Sequence, residues 1–377
     1  MILPTRNGGA LLADCLGSIL SQDDPDFEVV VSDNASDDRT PAILDALDDD
    51  RRLRVLRQPV PIGVTENWTA ALGGAEGEYV LLLGDDDYLL PGAIARLRTL
   101  VEEYGRPDCL SFDAWGFAFP GSFGPGTPAH FSDPLFPHRA DVPQRGEISP
   151  GLRREFVRDF FAFEFRLCPN LQTTLVARAA LTGMRHGPFR EPYPDFYALH
   201  ALMLLVDRWV RIAEKLVVVG ISTKSFGGTL RGGGSQAGRD YLGIDTRFER
   251  MLPGSDMLNG WHRTLDNLAR DYAPELNDIA VSRSNYVYRQ GYDWYLSYRM
   301  GWIDRSELWR RIRLLSPRDL AGFARELARR ADLDMIKRHA RVDDADAIAS
   351  VWPNMRALPD VHSVTEFADR VAGARAT

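Results

Sequence analysis

Along the first half of the chain, apolar positions alternate between two rhythms. Short runs rich in β-branched residues, at 2–3, 27–32, 53–56 and 79–83, are each followed by turn residues and then by apolar positions recurring every three or four residues. The first kind reads as strand and the second as helix. Ile2 and Leu3 predict a strand ended by Pro4, and residues 11–20 a helix. The turn at 33–38 leads through Thr40 into a helix with Pro41 at its start and Ile43, Leu44 and Leu47 on one face. A further helix is expected over 66–75. Residues 79–83, bounded by Gly77 and Gly84, read as a central strand buried on both faces. A helix over 196–206 and a strand over 216–221 continue the alternation, which predicts an α/β fold with a mostly parallel sheet and flanking helices.

The pattern then changes. Residues 223–238 cluster Gly227, Gly228, Gly232, Gly233 and Gly234 with Lys224 and Arg231, which reads either as a loop closing over an anionic ligand or as a linker. From about 240 onward Trp, Tyr and Arg recur at helical spacing with few strand signals. The expected division is a nucleotide-binding domain over 1–230 and a mainly helical region over 231–377. Leu308, Trp309, Ile312 and Leu315 fall on one helical face, with Arg310, Arg311 and Arg313 mostly off it. Such a helix could lie on anionic lipid as a peripheral contact, or pack its stripe on the catalytic domain or on a second subunit of a homo-oligomer; packing is the expectation.

Composition narrows the function classes. With 377 residues, 45% apolar and 26% charged, the chain can bury a large core. A formal charge of −8 argues against nucleic acid as a partner. No apolar run approaches a membrane span; the best, 199–206, is closed by Asp207 and Arg208. Residues 1–7 carry no basic leader and apolar segment, so a cytoplasmic location is expected. Cys15, Cys109 and Cys168 form neither a disulfide framework nor a zinc spacing. His200, inside an apolar helical stretch, is expected in the core, and the aromatic stretch 115–123 is a candidate acceptor-side surface.

The chemistry is expected where the acids lie. In open parallel sheets ligands bind beyond the carboxyl ends of the strands. Asp85, Asp86 and Asp87 directly follow the 79–83 strand. Three adjacent carboxylates repel unless a cation lies between them. A divalent ion, Mn2+ or Mg2+, held by one or two of them and by a ligand's phosphates would answer this. A solvated turn capping the next helix is the alternative. Asp33, at the end of the second strand, could accept a hydrogen bond from a nucleobase or ribose. Thr5, Arg6 and Asn7 occupy the neighbouring edge.

Together these motifs resemble a family-two glycosyltransferase of the GT-A fold, which is Rossmann-like. The matching residues are Pro4, Thr5, Arg6 and Asn7; 32–38; and Gly77, Glu78 and Tyr79 leading to Asp85, Asp86, Asp87, Tyr88, Leu89 and Pro91. The resemblance is strong over about the first hundred residues and weaker over 173–222. It implies that Pro4, Thr5, Arg6 and Asn7 line a nucleotide pocket and that Asp33 contacts the base. It places Asp86 on the metal-ligand position, with Asp85 at the ribose and Asp87 supporting the metal site. The usual first acid of the motif is here Gly84, so Asp85 replaces it. Inverting transfer also needs a base for the acceptor hydroxyl. The segment 192–197 resembles the family's acceptor-side acid motif and nominates Asp195, with Glu191 as fallback; capping the following helix is the competing role for Asp195. Arg231 is the expected cation over the diphosphate.

The function implied is metal-assisted, inverting transfer from a nucleoside-diphosphate sugar to a hydroxyl of a saccharide, lipid-linked or small-molecule acceptor. Two other readings stay open. A sugar nucleotidyltransferase should carry a glycine-rich, lysine-containing loop after the first strand, and 4–10 has no lysine. A non-catalytic nucleotide-sugar or glycan-binding module would lack a working Asp195.

Overall fold

The computed structural model describes residues 1–135, 139–164, 170–224, 247–329 and 355–373. Its N-terminal part alternates strand and helix: β1 (Ile2–Thr5), α1 (Gly9–Leu20), β2 (Val29–Asp33), α2 (Thr40–Asp45), β3 (Leu53–Arg57), α3 (Val64–Gly73), β4 (Tyr79–Val80), β5 (Tyr88–Leu89) and α4 (Ala93–Glu103). β1, β2 and β3 are parallel neighbours, β2 in the middle and buried at every position. The expected strand at 79–83 is split in its pairing. Tyr79 and Val80 pair elsewhere, while residues 81–83 run beside β1 through Ile2 N to Leu81 O (2.9 Å) and Leu83 N to Ile2 O (3.1 Å).

β1 continues through Pro4 to Thr5, beyond the predicted end. The amide of Ile2 points toward residue 81; that of residue 4, two positions on, would point to the same side, where the neighbouring chain turns away at Gly84. A proline there sacrifices no ladder bond.

The second half of the sheet is mixed. It contains β6 (Cys109–Ala118), β7 (Ala129–Ser132), β8 (Arg145–Glu147), β9 (Thr174–Ala177) and β10 (Trp209–Ile221). β6 and β10 are long parallel partners, and β5, β7, β8 and β9 add to them antiparallel. The helices of this half are α5 (Pro150–Phe161), whose start is capped by Ser149, α6 (Arg178–Thr182) and α7 (Pro194–Leu205). α7 is buried along most of its length and so lacks a polar face.

The C-terminal region is mainly helical, as expected: α8 (Asp256–Asp271), α9 (Arg283–Arg299), α10 (Arg305–Ile312), α11 (Pro317–Arg329) and α12 (Val364–Gly373). Ser255, Ser282 and Asp304 cap the first three, each accepting a backbone N–H of the first turn. Trp261, Leu265, Tyr286 and Trp294 share one buried cluster with Phe156, Phe160 and Leu199, so α8 and α9 complete the core around α5 and α7. Leu308, Ile312 and Leu315 turn toward that cluster, whereas Trp309 stays half exposed. The short strand β11 (Arg356–Leu358) pairs with β7, and α12 packs beside it on Leu90, Phe117 and Val218, with Leu11 and Tyr88 against it.

Two expectations for the middle of the chain resolve. His200 is a core residue, stacked on Phe160 at 3.7 Å and held neutral by burial, which lowers its pKa to about 4. The stretch 115–123 is not an acceptor surface over its first half: Trp115 and Phe117 lie in β6 and pack on Phe367. Cys15 and Cys109 are buried and unpaired, and Cys168 lies outside the described residues.

Candidate functional site

The loops after β1, β2 and residue 83, and the end of β10, meet in one crevice. Thr5 and Asp33, the last residues of β1 and β2, are paired in register, and the Thr5 carbonyl accepts Asn34 N at 2.9 Å. The Thr5 hydroxyl reaches across to Asp85 Oδ2 at 2.6 Å, joining the first loop to the acidic triplet. Gly8 passes over this contact: a Cβ there would lie 2.7 Å from Thr5 Oγ1 and 2.9 Å from Asp85 Oδ2.

The three acids do different work. Asp87 is buried, and both its oxygens are engaged by backbone, Oδ2 by Gly84 N (2.6 Å) and Oδ1 by Gly220 N (2.9 Å). Burial and the neighbouring Asp86 push its pKa well above the usual carboxylate range. This geometry makes Asp87 a clamp between the acidic turn and β10 rather than a group presented to a ligand. Asp85 and Asp86 are partly exposed. Burial of its carboxyl group, then the charge of Asp86, raises Asp85 to about 7, against the lowering influence of the Thr5 hydroxyl and of Lys224. Asp86 Oδ2 accepts Ser222 N at 3.3 Å.

Gly220 holds the β10 side of this clamp close. A Cβ there would sit 2.0 Å from the Asp86 carbonyl oxygen, which is backbone and cannot step aside. Gly220→Ala is therefore expected to cost about 3 kcal/mol and to lower the denaturant midpoint in urea unfolding. An unchanged midpoint would mean that the turn and β10 are not in fixed contact.

The first two loops are tied to each other by Asn7, whose backbone is left-handed at φ 55°. Its side-chain amide donates to Asp37 Oδ1 (2.7 Å) and accepts Asp37 N (2.9 Å), while its own N–H donates to Ser36 Oγ (2.8 Å). Asn7 thus shapes the pocket wall, its side chain committed at both ends. Asp33 Oδ1 accepts Ser36 N at 3.1 Å, and no hydrogen bond among the described residues engages its other oxygen. Pro4 and Arg6 flank Thr5, both partly exposed.

Among the described residues, Lys224 is a cation close enough to act on the acids. Its ammonium donates to the Asn7 carbonyl, and its charge lowers both Asp85 and Asp38. Arg231, the expected cation, lies outside the described residues. Lys224 was legible as part of the glycine-rich segment. Its position three residues past the end of β10 is what brings it to the crevice, as Ser222 is brought by standing one residue past that end.

Asp195 lies in the first turn of α7, and the N-cap residue Tyr193 makes no side-chain cap bond. The Asp195 carboxylate itself accepts the backbone N–H groups of Asp195 and Phe196, so it serves the open start of the helix whatever else it does. Burial raises its pKa to about 6, and no ion pair or side-chain hydrogen bond joins it to the acidic turn. The adjoining Tyr193 hydroxyl donates to Met257 O (3.0 Å) at the start of α8, so the C-terminal helices brace this end of α7. Glu191 is exposed, and its carbonyl accepts Asn267 Nδ2 at 2.8 Å.

Similarity to known proteins is concentrated in the segment that builds the crevice. Residues 1–129 match the family model described as Glycosyl transferase family 2. The chain is 40% identical over 105 residues to a GalNAc(5)-diNAcBac-PP-undecaprenol beta-1,3-glucosyltransferase of Campylobacter jejuni, covering 27% of this chain and 34% of that protein. It is 32% identical over 104 residues to the abequosyltransferase RfbV of Salmonella typhimurium, covering 26% and 31%. The aligned part is thus about a third of each relative's length. Among solved structures, S. aureus TarS 1-349 in complex with UDP-GlcNAc superposes with a TM-score of 0.49 at 16% identity, covering 83% of this chain and 78% of that one. Residues 1–129, which carry the first two loops and the acidic turn of the crevice, are thus similar to a family-two glycosyltransferase domain, as the motifs implied.

Proposed function

We propose that the chain transfers a glycosyl group from a nucleoside-diphosphate sugar to an acceptor hydroxyl, with inversion at the anomeric carbon. The observation that carries this reading is the pair Asp85 and Asp86, held at the strand ends beside Thr5, Asp33 and Lys224. Asp33, through its unengaged oxygen, and Asp85 would accept from base and ribose. The donor set suits a hard divalent ion such as Mn2+ or Mg2+: burial and then the neighbouring Asp86 charge raise Asp85, which a cation between the two would relieve, and oxygen is their only ligand atom. Asp86 would hold the ion, Asp87 would fix the turn behind it, and Lys224 would stand against the diphosphate. When bound, such an ion neutralises charge on the departing diphosphate.

On the acceptor side Asp195 is the base. Its carboxylate takes the hydroxyl proton as the acceptor oxygen bonds to the anomeric carbon, and the bond from that carbon to the diphosphate oxygen breaks. A pKa of about 6 leaves Asp195 ionised at neutral pH yet more basic than an ordinary carboxylate. The domain over 1–230 would supply donor and base, and the helices after it, braced on Tyr193, would frame a saccharide or lipid-linked acceptor.

The test is calorimetric titration with a panel of nucleoside diphosphates and their sugars, with and without manganese. One base is expected to bind, and only with the metal. Failure of every nucleotide under both conditions would overturn the reading.

A further inference from the structure

The end of α9 and the segment after it expose apolar surface that the other described residues do not cover. Nine large apolar side chains are exposed among the described residues, and six of them, Tyr298, Met300, Trp302, Trp309, Leu314 and Leu320, fall within 298–320. Such clustering in one short stretch is not the scatter expected of an ordinary surface. Trp302 is 68% exposed, Trp309 50% and Leu314 52%.

These residues lie on α10 and the chain that flanks it, an exposed ridge beside α9. α10 runs back along α9: Ile303 N donates to Ser297 O, and Arg311 stands against Asp293, a turn further toward the start of α9. Leu308, Ile312 and Leu315 face the core, so Trp309 and Leu314 lie off the buried face, with Trp302 in the turn before α10 and Leu320 at the start of α11.

Charge identifies the occupant. The stretch 298–320 holds six arginines against three acids in a chain of net charge −8. All three acids are already engaged. Asp304 caps α10, Glu307 bridges Arg310 and Arg311, and Asp319 is buried between Arg250 and Arg283. Arg305, Arg313 and Arg318 are exposed, with no ion pair to another described residue. Exposed tryptophans interleaved with outward arginines match the two layers of a bilayer surface, the indoles suiting the interfacial zone and the guanidinium groups the lipid phosphates. No helix among the described residues is long and apolar enough to cross a membrane. We propose that this ridge is a peripheral docking surface for an anionic bilayer.

The test is sedimentation of the full chain with vesicles of phosphatidylcholine alone and of equimolar phosphatidylcholine and phosphatidylglycerol. The expected result is partition onto the anionic vesicles only, weakened by salt, and reduced roughly tenfold or more in Trp302→Ser/Trp309→Ser. Arg305→Glu/Arg313→Glu should weaken it as well. Calorimetric nucleotide binding, unchanged in both variants, shows that they are folded and keeps the outcome independent of the donor-site reading. The proposal is overturned if wild type ignores the anionic vesicles or if both double variants still bind them fully. It is equally overturned if the chain is a dimer that Trp302→Ser/Trp309→Ser dissociates, because the ridge would then belong to a second copy.

Discussion

Asp195→Asn is expected to lower kcat by roughly a thousandfold while leaving nucleotide affinity unchanged, because it removes the group that accepts the acceptor's proton and nothing that holds the donor. In wild type the rate should rise about tenfold per pH unit below 6 and level off above it, following ionisation of a base whose pKa is about 6. The same substitution should stabilise the fold at alkaline pH. Burial raises this carboxyl from 3.8 to about 6, so above pH 6 the ionised form is penalised in the folded state and not in the unfolded one. That penalty is on the order of 3 kcal/mol. It is present in full above the folded pKa, declines as pH falls through 6, and vanishes below the unfolded value near 4. A gain in Tm for Asp195→Asn at pH 8 that disappears at pH 4, measured by calorimetry alongside kcat, is therefore expected. A loss of Tm at pH 8 with kcat retained would return Asp195 to a structural role.

Asp86→Ala is expected to weaken manganese-dependent nucleotide binding by roughly a hundredfold, the scale on which metal sites lose affinity. Asp86 is partly exposed, and its charge raises the carboxyls of Asp85 and Asp87 on either side, so its removal also relieves repulsion and should not lower Tm greatly. If the variant binds the nucleotide as tightly as wild type, with the same response to manganese, Asp86 does not hold the ion.

The N-terminal strands were legible for two reasons: β2, buried on both faces, leaves a continuous apolar run, and β3 sets half-buried Leu53, Val55 and Leu56 against exposed Arg54 and Arg57, so 27–32 and 53–56 fell close to them. The acids were legible because they stand directly after such runs. What could not be read was the division of labour among them. Asp87 is set apart from Asp86 by its bonds to Gly84 N and Gly220 N, and the second depends on a strand more than a hundred residues away in sequence. Asn7 likewise looked like a ligand-facing residue because its partners, Ser36 and Asp37, are set by pairing of β1 with β2. Trp115 and Phe117 misled as surface aromatics because the element that covers them, α12, is about 250 residues further along the sequence. Apolar period alone also did not separate the inward stripe of α10 from its outward tryptophan, since both fit one helical face.

The return of α12 has a consequence for synthesis. Tyr88, the residue directly after the acidic turn, and Leu11 of the first helix both rest on a cluster completed by Val364, Phe367 and Val371. On a ribosome, Leu11 and Tyr88 emerge with this apolar face bare, and it stays so until residues 364–371 have been made. Through that interval the nascent chain carries exposed apolar surface, for which chaperones are the natural company.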